Sequence, residues 1–237
     1  MHFSKVLAVG LLILVSSAEG AWNSPELHGG AAVLHPELVS GQGENPSWEL
    51  PSNYRLHEHI ISFPTSKFTL QDENGYGNYG TITEKFFSLA PAFYFHDAQG
   101  NLIASARSRI FALGSTCDVF DANGKKIATI KEKILKSLFK AYTQYSILDG
   151  EGNEIATSDK VELFATHFKL RDETGRVVAE MKRPFFNLLS DNWYVSSEGD
   201  SAVDPRVIAL IPAFKTIADN TRKSQHAFQS YQQSHSH

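Results

Sequence analysis

Residues 204–219 read Asp-Pro-Arg-Val-Ile-Ala-Leu-Ile-Pro-Ala-Phe-Lys-Thr-Ile-Ala-Asp, and this stretch decides how the rest of the chain must fold. Asp204 suits the N-cap and Pro205 the first helical position, so a helix over 205–219 is predicted. Pro212 lacks a backbone N–H and should kink the helix or end a turn. A helix that is apolar on nearly every side must be surrounded by protein or lipid. Its predicted core residues are Val207, Ile208, Leu210, Ile211 and Phe214.

Upstream of this helix, the pattern Asp-x-x-Gly recurs five times at intervals of 23 to 28 residues, which indicates one supersecondary unit used repeatedly. An Asp at the first turn position accepts backbone N–H groups further along the turn, and Gly takes the positive φ that closes the reversal. Each motif therefore predicts a hairpin tip. The five motifs begin at Asp72, Asp97, Asp121, Asp149 and Asp172.

Short runs that alternate polar and apolar residues flank these tips, as half-buried strands do. Two strands per unit, with the runs around Phe68, Thr81 and Trp193, give about ten to twelve strands. A sheet of that length splits into a sandwich or closes into a barrel. Placing the apolar helix inside a barrel is the simplest way to cover it. The clearest runs are 92–96, 102–106, 116–120, 126–130, 143–148, 154–157, 167–171 and 177–181.

The hairpin series followed by an Asp-Pro-Arg-Val-Ile-Ala-Leu helix resembles the LURP-one-related family of the tubby C-terminal-like superfamily. The similarity covers roughly residues 63–219, most clearly 127–148 and 193–218. The resemblance implies an all-β fold, a closed antiparallel barrel of about twelve strands around a buried hydrophobic C-terminal helix. The superfamily includes phosphoinositide-binding tubby proteins and phospholipid scramblases, and no enzyme chemistry is general to it.

The two ends of the chain are predicted to lie outside this barrel of residues 63–219. Lys5, the apolar run 6–15 and Ala18-Glu19-Gly20 are typical of a signal peptide over 1–20, cleaved before Ala21. Residues 21–62 are rich in Gly and Pro and are predicted to form an irregular leader, although its aromatic residues could pack on the domain. Residues 220–237 are rich in Gln, Ser and His and predict a disordered tail. A secreted or periplasmic location follows.

The net charge of −4 argues against nucleic-acid binding. Cys117 is the only cysteine, so no intramolecular disulfide can form, and a lone Cys within a strand is usually a small buried hydrophobe. We expect a monomer without a cofactor, whose partner is an anionic lipid, a membrane surface or a protein.

A lysine-rich stretch over 125–140 is the best candidate for contact with an anionic surface. Its apolar residues also fit helical spacing, which leaves open a basic amphipathic helix at a membrane. Because strand patterns lie on both sides, two strands whose lysines face solvent are the favoured interpretation. The candidate binding residues are Lys131, Lys133, Lys136 and Lys140.

His57 and His59 would share one face of a strand, a spacing that can hold zinc or copper when a third ligand comes from elsewhere. No HExxH or paired-Cys motif accompanies them, and two surface histidines are the simpler interpretation. No Gly-x-Ser-x-Gly elbow or phosphate-binding glycine loop is present.

Two hypotheses for the function follow. The favoured one is a non-enzymatic barrel that binds a lipid, a membrane surface or a partner protein. The alternative is a secreted hydrolase or metal-dependent enzyme whose site assembles from carboxylates and the histidines His57, His59, His96 and His167. Converging histidines in a concave pocket would favour the enzyme, whereas a barrel filled by the helix would favour the binder.

Overall fold

A computed structural model of the chain describes residues 48–59, 66–85, 91–111, 114–136, 140–184 and 192–234. The predicted signal peptide and most of the predicted leader lie outside the described residues. The described part contains one helix, α1 (Pro205–Ser234), and thirteen strands. The strands are β1 (Asn53–His59), β2 (Lys67–Gln71), β3 (Asn78–Lys85), β4 (Ala92–Asp97), β5 (Leu102–Phe111), β6 (Gly114–Asp121), β7 (Lys126–Lys136), β8 (Ala141–Asp149), β9 (Glu154–Ser158), β10 (Val161–Glu162), β11 (His167–Asp172), β12 (Val177–Lys182) and β13 (Asn192–Ser197).

Twelve of these strands form a closed antiparallel ring, as predicted. Neighbours in sequence pair from β1 to β9, β9 pairs with β11, and β11, β12 and β13 lead back to β1. The thirteenth strand, β10, is short and pairs with the first part of β8, whose later part pairs with β9. Closure leaves no long sheet edge exposed.

The five Asp-x-x-Gly motifs are hairpin tips, as predicted. They join β2 to β3, β4 to β5, β6 to β7, β8 to β9 and β11 to β12. At the fourth tip, Asp149 Oδ1 accepts the backbone N–H groups of Glu151, Gly152 and Asn153 at 2.7–2.9 Å. Gly152 has a φ of +99°, a conformation that favours glycine. Since the strands before the tips alternate around the ring, all five tips lie at one end of the barrel, here called the turn end.

The helix α1 fills the barrel, which confirms the predicted core. Its first half is buried, including Val207, Ile208, Leu210, Ile211 and Phe214. Near the helix start, Arg206 Nη1 donates to the carbonyl of Ile103 at 3.2 Å, close to the second hairpin tip. Further along, Trp193 Nε1 donates to Thr216 Oγ1 at 2.9 Å. The helix therefore enters at the turn end and leaves at the opposite end, here called the helix-exit end.

Two predicted boundaries were wrong. Strand β1 lies within the predicted leader, where Tyr54 and Leu56 face inward between polar residues and complete the ring between β2 and β13. Trp48 also packs on the domain, with its ring 5.0 Å from that of Phe95. The predicted tail is helical through Ser234, because residues 220–234 contain no Gly or Pro and extend a helix that is already nucleated. The proline at position 212 lies inside this helix and does not end it.

Candidate functional site

The barrel interior changes from apolar to charged towards the helix-exit end. Inward-facing carboxylates come from Glu58 on β1, Glu84 on β3 and Glu132 on β7. The helix contributes three more buried charged groups at this level, on Lys215, Asp219 and Arg222. Buried charges persist in proteins when they are paired and hydrogen-bonded, so each of these groups calls for a partner.

The first buried pair joins the helix to strand β7. Arg222 Nη1 donates to Glu132 Oε1 at 3.1 Å, and Nη2 donates to the other carboxylate oxygen, Oε2. Arg222 Nη2 also donates to Ser115 Oγ on β6 at 2.9 Å. Glu132 Oε1 accepts the hydroxyls of Thr143 and Tyr145, each at 3.1 Å. This bidentate contact fixes the planar guanidinium in one orientation.

A second buried cluster surrounds Asp219. Lys215 Nζ lies 3.0 Å from Asp219 Oδ2 and donates to the carbonyl of Leu163 at 3.0 Å. Arg183 Nη2 lies 3.2 Å from the same Asp219 oxygen, and its guanidinium stacks on Trp193 at 4.8 Å. Burial lowers the pKa of Lys215, and the negative charge of Asp219 opposes this shift. Arg183 and Lys215 thus share the carboxylate of Asp219, while Arg222 pairs with Glu132.

Glu84 stands apart from these clusters. Its side chain is 2% exposed, and among the described residues Oε1 has no hydrogen-bond partner. Burial raises the pKa of Glu84 to about 7, although hydrogen bonds from Ser66 oppose the rise. This carboxyl group therefore titrates near neutral pH.

On the outside, exposed basic residues surround the helix-exit end. They stand on or beside the parts of the strands away from the hairpin tips, starting with Lys131 in the middle of β7, or, for Lys223, on the emerging helix, and we call them the basic rim. Three of them form ion pairs with carboxylates: Lys140 with Glu162 at 2.7 Å, Lys182 with Glu180 at 3.0 Å and Arg109 with Asp118 at 3.5 Å. The rim therefore keeps a positive excess. Its nine members are Lys67, Lys85, Arg109, Lys131, Lys133, Lys136, Lys140, Lys182 and Lys223.

The turn end has the opposite charge. Each hairpin tip begins with an Asp, and further acidic residues stand in or beside the tips. The barrel is thus positive at the helix-exit end and negative at the turn end, even though the net charge of the whole chain is only −4. The acidic residues of the turn end are Asp72, Glu73, Asp97, Asp121, Asp149, Glu151, Asp172, Glu173, Glu198 and Asp200.

The four lysines singled out in the sequence all belong to the basic rim. Lys131, Lys133 and Lys136 are exposed on β7, and Lys140 precedes β8. The alternative of a basic amphipathic helix is wrong for this stretch, because β7 pairs with β6 and β8 along its length. Their role in binding stays a prediction.

The histidines do not assemble into one site. His57 and His59 share a face of β1 as predicted, with ring centroids 4.8 Å apart. His57 Nδ1 is 2.6 Å from Asn192 Oδ1, and His59 Nε2 is 2.7 Å from Thr69 Oγ1. Burial, His57 and Lys67 together lower the pKa of His59. Among the described residues, no group of three His, Cys, Asp or Glu side chains could hold a metal ion.

The other candidate groups for catalysis lie apart. His96 stands on β4 beside a hairpin tip, at the opposite end from His57. His167 is three strand spacings from β1, about 14 Å away, and lies 2.6 Å from Glu180. Cys117 is fully buried on β6, and burial raises the pKa of its thiol. The assembly that the hydrolase hypothesis requires is not formed within the described ranges.

Sequence reasoning missed the two buried ionic clusters. Their members come from β6, β7, β8, the residue after β12 and the helix, and only the closed ring brings them together. One signal was present, since Lys215 and Asp219 interrupt an otherwise apolar helix at a spacing of four residues.

The fold and this site define a closed antiparallel barrel filled by its own C-terminal helix, with charged groups inside and outside at the end where the helix leaves. Within the described residues, α1 included, no helix has the length and apolar character needed to cross a membrane.

Comparison with known proteins confirms the predicted resemblance. The family model described as LURP-one-related matches residues 80–161, from β3 to β10. The chain is also similar to an X-ray structure of a protein from Arabidopsis thaliana, with 18% identity and a TM-score of 0.49 over 75% of this chain and 96% of that chain. No curated protein matches the chain significantly. The LURP-one-related barrel fold is consistent with a non-enzymatic barrel protein.

Proposed function

We propose that this protein is a non-enzymatic barrel that binds anionic membrane surfaces through its basic rim, and that it does so after export. The observation that carries the proposal is the separation of charge along the barrel. Nine basic side chains surround the helix-exit end, while acidic side chains dominate the turn end. Because the buried half of α1 occupies the barrel interior, the outer surface is the better binding site.

The charge distribution suits a membrane surface in both strength and direction. A lysine or arginine near an anionic leaflet contributes about 1 kcal/mol, so several rim residues together give substantial affinity. The same surface repels the turn end, and this orients the barrel with the helix-exit end towards the lipid. Salt should weaken such binding, because the charges involved are exposed.

The sequence of the connecting segments adds support. Residues 60–65, 86–90, 137–139 and 185–191 lie outside the described residues, but in the sequence each contains Phe, with Leu or Ile, and each stands within two residues of a lysine or arginine. Apolar residues beside basic ones are typical of proteins that bind membrane interfaces.

Vesicle flotation tests the proposal, using the chain from Ala21 and vesicles of phosphatidylcholine alone or with phosphatidylserine. We expect flotation only with the anionic vesicles. Replacing Lys131, Lys133, Lys136 and Lys140 with Gln should weaken partitioning at least about 100-fold, from about 1 kcal/mol per residue.

Strand β7 offers a matched control for the change in net charge. The double variant Lys133→Gln/Lys136→Gln removes two charges from the rim, and Lys125→Gln/Lys126→Gln removes two from the turn end. Only the first should weaken flotation. If the wild-type chain floats with neither type of vesicle, the proposal is refuted and an acidic protein becomes the favoured partner. Equal losses of flotation in the two double variants would show that the basic rim has no special role.

A further inference from the structure

The last part of helix α1 is exposed. Residues 223–234 continue the helix beyond Arg222, its last buried residue, and all twelve are exposed. At 1.5 Å per residue they span about 18 Å. We call them the helix extension.

Two aromatic side chains stand out on the helix extension. Phe228 is 52% exposed and Tyr231 is 61% exposed. Their spacing of three residues places them on the same side of the helix. Most of the other residues of the extension are Gln, Ser, Lys and His.

The helix extension begins beside the basic rim. Lys223, a member of the rim, lies with its ammonium group 5.6 Å from the ring of Phe164, which is itself 43% exposed. The aromatic residues of the extension and the positive charge of the rim therefore lie at the same end of the molecule.

A membrane interface matches both features. Polar helices of this length are marginal in water without packing contacts, and aromatic side chains partition into the headgroup region of bilayers. Since the helix is not apolar enough to span a membrane, contact at the interface is the mode that fits it.

We infer that Phe228 and Tyr231 insert into the interfacial region of the anionic membrane that the basic rim binds. This inference rests on the proposed function and names the part of the chain that enters the lipid. The rim supplies attraction that depends on salt, and the two aromatic rings supply contact that does not.

The single buried cysteine makes a direct test simple. Cys117 is fully buried and its thiol pKa is raised by burial, so it should not react with a thiol reagent in the folded protein. Phe228→Cys then provides one reactive thiol for the environment-sensitive fluorophore NBD. Tyr76→Cys is the matched control, because Tyr76 is 92% exposed and lies next to a hairpin tip at the turn end.

Adding phosphatidylserine-containing vesicles should raise and blue-shift the NBD emission at position 228 and leave it unchanged at position 76. Unchanged emission at position 228 from labelled protein that floats with the vesicles would overturn the inference and leave the proposed function standing. Absence of flotation would overturn both. If the NBD emission at position 228 rises without vesicles and the rise depends on protein concentration, the helix extension self-associates. That result would also overturn the inference.

A second variant measures the contribution of the rings to binding. Phe228→Ser/Tyr231→Ser should weaken partitioning by about tenfold or more in high salt, where the electrostatic part is screened. Tyr76→Ser should have no effect. Circular dichroism shows whether the double variant keeps its helix, and an unchanged affinity in a helical double variant would contradict the inference.

Discussion

Glu84 should make the stability of this barrel fall as the pH rises through neutrality. Its carboxyl group is buried on β3 with one oxygen unpartnered, and burial raises its pKa from 4.5 to about 7. Replacing Glu84 with Gln keeps the shape and hydrogen-bonding capacity of the side chain and removes the charge. The variant should therefore be more stable than the wild type wherever Glu84 would be ionised.

The sign and size follow from proton linkage. Between pH 4.5 and about 7 the folded state holds a proton on Glu84 that the unfolded state has released, so stability is lost as the pH rises through this window. Below 4.5 both states are protonated, and above 7 both are ionised. The difference between the two pKa values corresponds to a total change of about 3 kcal/mol in the free energy of unfolding. This is a large part of the free energy of unfolding of a domain, about 5–15 kcal/mol.

Urea unfolding at pH 5, 6, 7 and 8 measures the effect. Between pH 5 and pH 8, the difference in free energy of unfolding between Glu84→Gln and the wild type should grow by about 2.5 kcal/mol, because part of the total change already occurs below pH 5. Glu151→Gln, at an exposed hairpin tip, should show no such trend. Parallel curves for the wild type and Glu84→Gln across this range would refute the reasoning, because they would mean that the carboxyl group titrates normally in the folded state.

Two further predictions concern the helix. Ile208→Asp places an unpaired carboxylate in the apolar part of the barrel and should prevent folding, since losing the apolar side chain alone costs about 2–5 kcal/mol. The control Gln225→Asp, on the exposed helix extension, should be expressed in soluble form with an unchanged melting temperature. The same result for Ile208→Asp would contradict the prediction. Arg222→Leu leaves Glu132 buried without its cation and should cost about 3–5 kcal/mol by urea unfolding, whereas Lys223→Leu should cost little. Adding Glu132→Gln to Arg222→Leu should restore part of the loss, and a double variant no better than the single one would argue against the pair.

The features that sequence predicted well depend on local chemistry. Asp and Gly at each hairpin tip perform the same local task wherever the motif occurs, so the tips of five strand pairs followed from five short motifs. The core of α1 followed in the same way, because residues 204–214 begin with Asp-Pro and are then apolar on nearly all sides. Closure of the barrel then followed from the need to cover that helix.

The missed features depend on neighbours that are distant in sequence. Strand β1 was hidden by the Gly and Pro residues before it, although Tyr54 and Leu56 alternate with polar residues as in other strands. The pair of Glu132 and Arg222 joins residues 90 positions apart. No local pattern distinguishes an inward Glu132 from the exposed lysines on either side of it, except the alternation along β7 once its register is known.

The buried pair also determines how far the helix extension projects. A shift of α1 by one residue would move Arg222 by about 1.5 Å along the axis and rotate it by about 100°. That movement would separate Arg222 from Glu132 and Ser115, leaving the carboxylate of Glu132 buried without its cation. Its cost, about 3–5 kcal/mol, is large enough to hold the helix in one axial position. Since Lys223 and Phe228 follow directly on the same helix, this contact also fixes their distance from the rim residues on the strands, so Arg222 connects the packing of the barrel with the surface proposed to meet the membrane.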